Sequence, residues 1–332
     1  MARILRKSLP LYLVTAWVAI TLNFLIPRLM PGNPAEILMA RLQRQGAVPL
    51  LSLQAMEAEF GVNTRAGWLS QYFAYLGHVI HLNLGVSVSY FPEPVSQVIA
   101  STLPWTLVLV TLGVGLSWVI GIALGAIVGW RRGSRLDNVL IPTSTFFTAV
   151  PFFVVGLLLV WILGIVLGWM PIDGAYGSTV TIGLNSAFIL SWLQHAALPL
   201  FTIVVSSFVS HMLYMRNMMV TTLGDDYVRL AQAKGLSQRR IKYAYAGRNA
   251  LLPSVASFAI SLGFVVGGSV LVETVFAYPG IGYALYQAVN NEDYALMQGI
   301  FLIIVIAVLV ANLCADLLYA VLDPRSRRQL TA

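Results

Sequence analysis

Apolar positions in this chain form long unbroken runs. They show neither the alternation of a half-buried strand nor the narrow stripe of a surface helix. Windows free of Asp, Glu, Lys and Arg cover 8–27, 94–130, 138–172, 174–215, 249–272 and 294–315. A helix needs about 20 apolar residues to cross roughly 30 Å of hydrocarbon. The six windows therefore predict six spans, near 9–29, 104–130, 138–168, 195–216, 251–273 and 296–320. The longer windows exceed one span and must include loops. Residues 171–194 (PIDGAYGSTVTIGLNSAFILSWLQ) are rich in Gly, Ser, Thr and Asn and read as an external loop with a short interfacial piece. Residues 31–103, between the first two spans, form a long external segment with helix-like stretches near 52–60 and 66–82.

Composition agrees with lipid as the solvent. Of 332 residues, 58% are hydrophobic and only 10% charged, against about 25% charged in an ordinary soluble domain. The net charge of +7 is a matter of position. Sixteen of the twenty Lys and Arg lie in the N-terminus, the 130–137 turn, the 216–250 loop and the C-terminus, which six spans place on one side. Basic loops stay cytosolic, so both termini are expected there, and the charge speaks for topology and against a nucleic-acid partner. Trp105, Trp130, Trp169 and Trp192 fall near span ends, where an amphipathic ring suits the interface. The first apolar run is too long for a signal-peptide core and ends in Pro27-Arg28, so cleavage is not expected. One cysteine, Cys314, excludes an internal disulfide.

Inside the spans, Gly121, Gly125 and Gly129 share a helical face and predict close helix packing; Gly164 with Gly168, and Gly263 with Gly267, repeat the spacing. Glu273 and Asp316 sit near span ends, where structural hydrogen bonding is the expected role. No file of buried carboxylates suggests a proton relay. His211 and Met215 lie one turn apart; imidazole and thioether suit a soft metal, but Met is a common packing residue, and no metal site is expected. The phosphate-binding G-x-x-x-x-G-K-[ST], H-E-x-x-H and G-x-S-x-G patterns are all missing from the sequence. The chain is expected to be non-catalytic, with any ATP hydrolysed elsewhere.

One polar stretch interrupts the apolar pattern, DDYVRLAQAKGLSQRRIKYAYAGRNALLP at 225–253. Asp226 can cap a short helix through about Lys234. Gly235 can take the left-handed conformation that ends it, and Ser237 can cap a second helix to about Arg248. Ala231 and Ala233 keep one surface small. The result is a compact basic hairpin suited to docking into a partner.

This stretch resembles the EAA loop of permease subunits of binding-protein-dependent ABC importers, in the dipeptide/oligopeptide/nickel branch. There, D-Y-V-R-x-A-x-A-K-G-L leads to R-N-A-x-x-P. Here Asp226, Tyr227, Arg229, Ala231, Ala233, Lys234, Gly235 and Leu236 match the first half, and Arg248, Asn249 and Pro253 the second. Further likenesses run in order along the chain. They are Pro31-Gly-Asn-Pro34, with Asn33 in place of Asp; Leu84-Gly-Val-Ser87; Pro94-Val95 before Leu103-Pro104; Arg132 with Asp137; Glu273-Thr-Val-Phe-Ala-Tyr-Pro-Gly-Ile-Gly282; Asn312-Leu-Cys-Ala-Asp316; and Asp323-Pro-Arg325.

The resemblance implies an all-α polytopic membrane protein with six transmembrane helices, a type I ABC importer permease fold and a small external domain. Residues 1–30 would be the cytosolic N-terminus and first span, 31–103 a scoop-like external segment, 104–322 a five-helix core carrying the 217–250 coupling hairpin, and 323–332 a cytosolic tail. The implied location is a bacterial or archaeal cytoplasmic (inner) membrane. Implied partners are a homologous permease, two ABC ATPase subunits that hold ATP and Mg, and an extracytoplasmic substrate-binding protein. This chain would carry no cofactor. Ser254, Ser257 and Ser261 share a face of span 5 and, with Glu273, Pro279 and Gly280, are candidates for the translocation path; helix packing is the other reading of the serines. The implied cargo is short peptides, with oligosaccharides or nickel complexes as alternatives. An intramembrane enzyme or a membrane scaffold is the rival of another class.

Overall fold

The computed structural model describes residues 2–29, 67–263 and 270–322, with Met39. Twelve α-helices are found among them. They are α1 (Ala2–Leu29), α2 (Trp68–Ile80), α3 (Val95–Trp130), α4 (Arg135–Ala149), α5 (Phe152–Leu159), α6 (Ser186–Leu223), α7 (Asp226–Ala233), α8 (Gln238–Arg240), α9 (Arg248–Gly263), α10 (Val270–Val275), α11 (Ile281–Asn290) and α12 (Tyr294–Leu322). Two π-helical stretches, Val160–Val166 and Ile241–Gly247, continue α5 and join α8 to α9. Among the described residues, three helices are long and apolar enough to cross a membrane: α3, α6 and Tyr294–Cys314 of α12. Leu9–Leu25 and Phe152–Val166 are shorter apolar helices.

Among the described residues the α3–α6 pair is the most extensive helix packing, and the glycine row explains it. A Cβ on Gly121 would stand 2.6 Å from the His211 Cβ. One on Gly125 would strike the Met212 carbonyl, and one on Gly129 would stand 2.7 Å from the Met219 Cβ. Bare backbone here lets two apolar helices touch where hydrophobicity alone gives no reason to associate in lipid. The other spacings differ. Gly164 abuts Ile172, while Gly168 has φ +62 and lies past the helix end, so the two do not form a packing row. Gly267 lies outside the described residues.

Several boundaries depart from the sequence expectation. Helix α3 begins at Val95, ahead of the expected 104, and holds Pro104 inside it. The third span is broken: α4 stops at Ala149, and Pro151, which has no N–H to donate, opens α5. Helix α6 overruns its expected span at both ends. It starts where the Asn185 side chain accepts a 2.8 Å bond from the Phe188 N–H. The stretch at 66–82 forms α2, whereas 52–60 lies outside the described residues. Of the tryptophans, Trp169 is exposed. Trp105 stacks on Tyr176, and Trp192 donates to the Tyr278 hydroxyl at 3.0 Å, so both belong to an aromatic cluster.

Buried polar groups fasten the ends of the structure. Asn23 of α1 donates to the Gln298 carbonyl of α12 (2.8 Å) and the Tyr75 hydroxyl of α2 (3.1 Å). Asp293 heads α12, accepting from the Leu296 N–H, the Ser87 hydroxyl and the Ser89 N–H. It thereby pins the 84–90 segment onto that helix.

Candidate functional site

The 225–253 stretch folds as a hairpin whose turn is closed by backbone geometry. Gly235 has φ +71. Its N–H donates to the Gln232 carbonyl at 2.9 Å, and the Leu236 N–H reaches the Ala231 carbonyl at 3.3 Å. These two bonds satisfy the last carbonyls of α7 and require a residue at ease in the left-handed region. Asp225, with extended backbone, holds the N-cap position, and Asp226 is the first helical residue. The sequence had placed the cap one residue late. Ser237 holds the N-cap position of α8, but its side chain makes no capping bond.

The second arm differs from expectation. It does not end near Arg248: α8, the π-helical stretch and α9 form one helix through 263 with Pro253 inside it. No glycine in the left-handed region interrupts 238–263, and proline is tolerated in a helix that neighbours support.

A small apolar core holds the arms together. Val228, Ala231 and Ile241 are buried against one another, with Trp130, Leu223, Leu236 and Tyr245 around them. Beneath it, Met215, Met219, Ala246 and Ala250 pack with Ile122, Ala126 and Trp130. The hairpin is thus seated on the ends of α3 and α6. Met215 belongs to this packing, and the His211 Cβ lies against Gly121. The structure separates two alanines that the sequence treats alike. Ala231 faces the hairpin core, whereas Ala233 is exposed. Burial pushes the Tyr227 hydroxyl above the ordinary range. The outward surface carries Leu230, Ala233, Lys234, Arg239, Arg240 and Arg248. Asp226 and Arg229 approach only to 3.9 Å in the open, a pair of little energetic weight. Pro253 is half-buried.

A buried ion pair stands beside the hairpin. Asp137, in the first turn of α4 and 3% exposed, accepts from Arg216 Nε at 3.1 Å and Nη2 at 3.0 Å, and from the Gly133 N–H at 2.9 Å. The guanidinium holds the Asp137 carboxyl below the usual range. This two-pronged contact joins α4 to the end of α6.

The remaining candidates fall in two places. Glu273, Pro279 and Gly280 meet in a knot at the other end of α3. Glu273 is fully buried. It accepts from the Thr106 hydroxyl (2.9 Å), the Gly282 N–H (2.7 Å) and the Tyr283 N–H (3.2 Å), and Thr106 accepts from the Ile281 N–H (2.8 Å). The carboxylate so caps α11. A Cβ on Gly280 would collide with Glu273 and Thr106, which explains why the turn holds glycine there. Ser254 and Ser261 lie on α9. Ser254 is buried and its hydroxyl has no hydrogen-bond partner among the described residues; Ser261 is half-buried and bonded. The side chain of Ser257 lies outside the described ones.

Sequence reasoning missed Thr106, Asp293, Trp130 and Arg216 as working residues. Only Asp293 gave a local sign, an Asp directly before an apolar helical run.

A profile of the family described as binding-protein-dependent transport system inner membrane component matches residues 121–328. The oligopeptide transport system permease protein AppB of Bacillus subtilis is 31% identical over 325 residues, 98% of each chain. The di/tripeptide transport system permease protein DppB of Pseudomonas aeruginosa is 30% identical over 342 residues, covering 99% of this chain and all of the relative. The dipeptide transport system permease protein DppB of Lactococcus lactis is 31% identical over 330 residues, covering 98% of this chain and all of the relative.

Proposed function

Since the chain belongs to the binding-protein-dependent transport system inner membrane component family, and is thus a multi-pass membrane permease of an importer, we propose that its 225–253 hairpin is where partner ATPases act on it. The observation that carries this reading is the hairpin itself. Its inner face is spent on a private core anchored to α3 and α6, while its outer face, with Leu230, Ala233 and Lys234, stays open. A rigid docked body whose second arm runs unbroken into a span can pass a domain movement into the membrane.

In this reading the chain is non-catalytic. It forms half of the translocation path with a homologous permease, and two ATPase subunits that hold Mg and ATP supply the energy. An extracytoplasmic binding protein delivers cargo near the 31–103 segment. Six spans with both termini cytosolic follow from the distribution of basic residues. The cargo is short peptides, because the named relatives are oligopeptide and dipeptide permeases. Cargo passes at the interface of the two permeases without reacting. Ser254, Ser257 and Ser261 offer neutral hydroxyls to peptide groups, while the Glu273 knot fixes the outer end of the helices.

The test is mass spectrometry of what co-purifies with this tagged chain from its native membrane after crosslinking. Two ATPase subunits, a second permease and contacts from Lys234 to a nucleotide-binding subunit are expected. Recovery of the chain alone overturns the reading. Uptake of a labelled tripeptide that excess oligosaccharide or nickel fails to inhibit would identify the cargo; inhibition by either would redirect it.

A further inference from the structure

The hairpin's second arm and the end of α3 enclose a groove of about 500 Å³ lined by Ile127, Trp130, Arg131, Gln238, Arg239, Lys242 and Tyr243. Three cations share it. Among the described residues none has a carboxylate partner, since the ion pairs there use Arg216 and Arg229. The Lys242 ammonium instead lies 5.0 Å from the centre of the Tyr243 ring. Crowding three unpaired cations is unfavourable until an anion enters. The rim is apolar: Ile127 and Tyr243 are both exposed. The groove also has a defined depth. The apolar run of α3 ends at Trp130, and Arg131 and Arg132 follow, so it opens where a span leaves hydrocarbon and headgroup phosphates lie.

We propose that this groove binds the phosphodiester headgroup of an anionic membrane phospholipid, with Arg131, Arg239 and Lys242 on the phosphate and Ile127 and Tyr243 along the first acyl carbons. The apolar rim at the membrane edge selects a lipid over a free anion or an acidic protein surface. A bound lipid would join α3 to the hairpin's second arm through Trp130, which already packs in the hairpin core. Anionic lipid content would then set how firmly the hairpin is seated. The proposal shares with the functional reading only the placement of the hairpin on the cytosolic side.

The experiment is native mass spectrometry of the full-length chain in nonionic detergent. The chain is titrated with phosphatidylglycerol, phosphatidylcholine or inorganic phosphate. Retention of phosphatidylglycerol over phosphatidylcholine is expected. The variant Arg131→Gln/Arg239→Gln/Lys242→Gln should bind phosphatidylglycerol about 100-fold more weakly, at roughly fivefold per charge. The variant Arg132→Gln/Arg135→Gln/Lys234→Gln, which removes three other charges, should bind as the unchanged chain does. Arg131→Lys/Arg239→Lys, which keeps the charges, should keep most binding and guards against misfolding as the cause. Equal retention by the first two variants, or displacement of the lipid by equimolar phosphate, overturns the proposal. Retention abolished only when an ATPase subunit is bound would assign the groove to that protein and also overturn it. Side is tested separately, with Tyr243→Cys in a Cys314→Ser background. A membrane-impermeant maleimide should label it in inside-out vesicles only. Labelling of intact cells would sink the functional reading while leaving the binding result standing.

Discussion

Ala231 and Ala233 are two residues apart, and the structure assigns them opposite outcomes on substitution by glutamate. The hairpin core consists of Val228, Ala231 and Ile241. Burying a valine or isoleucine is worth about 2–3 kcal/mol, and an alanine about 1, so closure rests on roughly 5 kcal/mol. A carboxylate forced into that core without a partner costs about 3–5 kcal/mol. Ala231→Glu therefore cancels most of what holds the arms together. Ala233 is exposed, and glutamate there should change stability by no more than about 0.5 kcal/mol. Trypsin reads the difference, because Arg239, Arg240 and Lys242 lie in the second arm. With cleavage tracking the open population, Ala231→Glu should raise the rate by about two to three orders of magnitude, since each 1.4 kcal/mol is about tenfold, and Ala233→Glu should leave it unchanged. Uptake and ATP turnover complete the assay. With Ala233→Glu, the partner ATPases of the proposed importer should hydrolyse ATP without cargo accumulating, the hairpin intact and its docking face spoiled. An Ala231→Glu chain as resistant as the parent would refute the core assignment. Normal uptake by Ala233→Glu would refute the docking face.

Gly280→Ala drives a methyl into the Glu273 carboxylate and the Thr106 hydroxyl; a loss of about 1–3 kcal/mol should show as a lower melting temperature by fluorescence-detected gel filtration. Its effect should be less than additive with Thr106→Val, since both act on one knot. Gly125→Leu should separate α3 from α6, abolishing a disulfide engineered across that contact while the chain still inserts. The Asp137–Arg216 pair predicts acid sensitivity. A carboxylate whose folded pKa is lowered contributes stability that is fully present above its ordinary value near 3.8 and is lost as pH falls through the lower folded value. Asp137→Asn should thus be less stable than the parent at neutral pH, and the gap should narrow below about pH 4 in acid melting curves.

The apolar windows and one-sided basic residues identified the long helices α3, α6 and α12 well, because length and charge are properties of a segment by itself. Their ends were harder. Helix α3 starts before Pro104 and α6 starts at Ser186, since polar and small residues at a membrane edge are as good in a helix as in a loop. Gly235 was readable because few residues suit its backbone. The unbroken second arm was not, because the change from basic to apolar after Arg248 is a change of solvent without a change of backbone. Which alanine faces inward depends on how α7 rolls onto Trp130, a partner about a hundred positions away. The Glu273 motif was visible, yet Thr106 lies 167 positions from it, and no local pattern connects them.

The two attachments of the hairpin are mechanically unequal. Between α6 and α7 there is only Gly224-Asp225, a short joint outside helical structure. On the other side, 238–263 is one helix of about 39 Å at 1.5 Å per residue. The first connection is a hinge and the second a shaft. A tilt of about 10° imposed at the hairpin is absorbed at Gly224 but swings the far end of the shaft by about 7 Å. In the proposed mechanism, helix α6, clamped along α3 by its glycine seam, would act as the stator, and α9 would be the part that is driven.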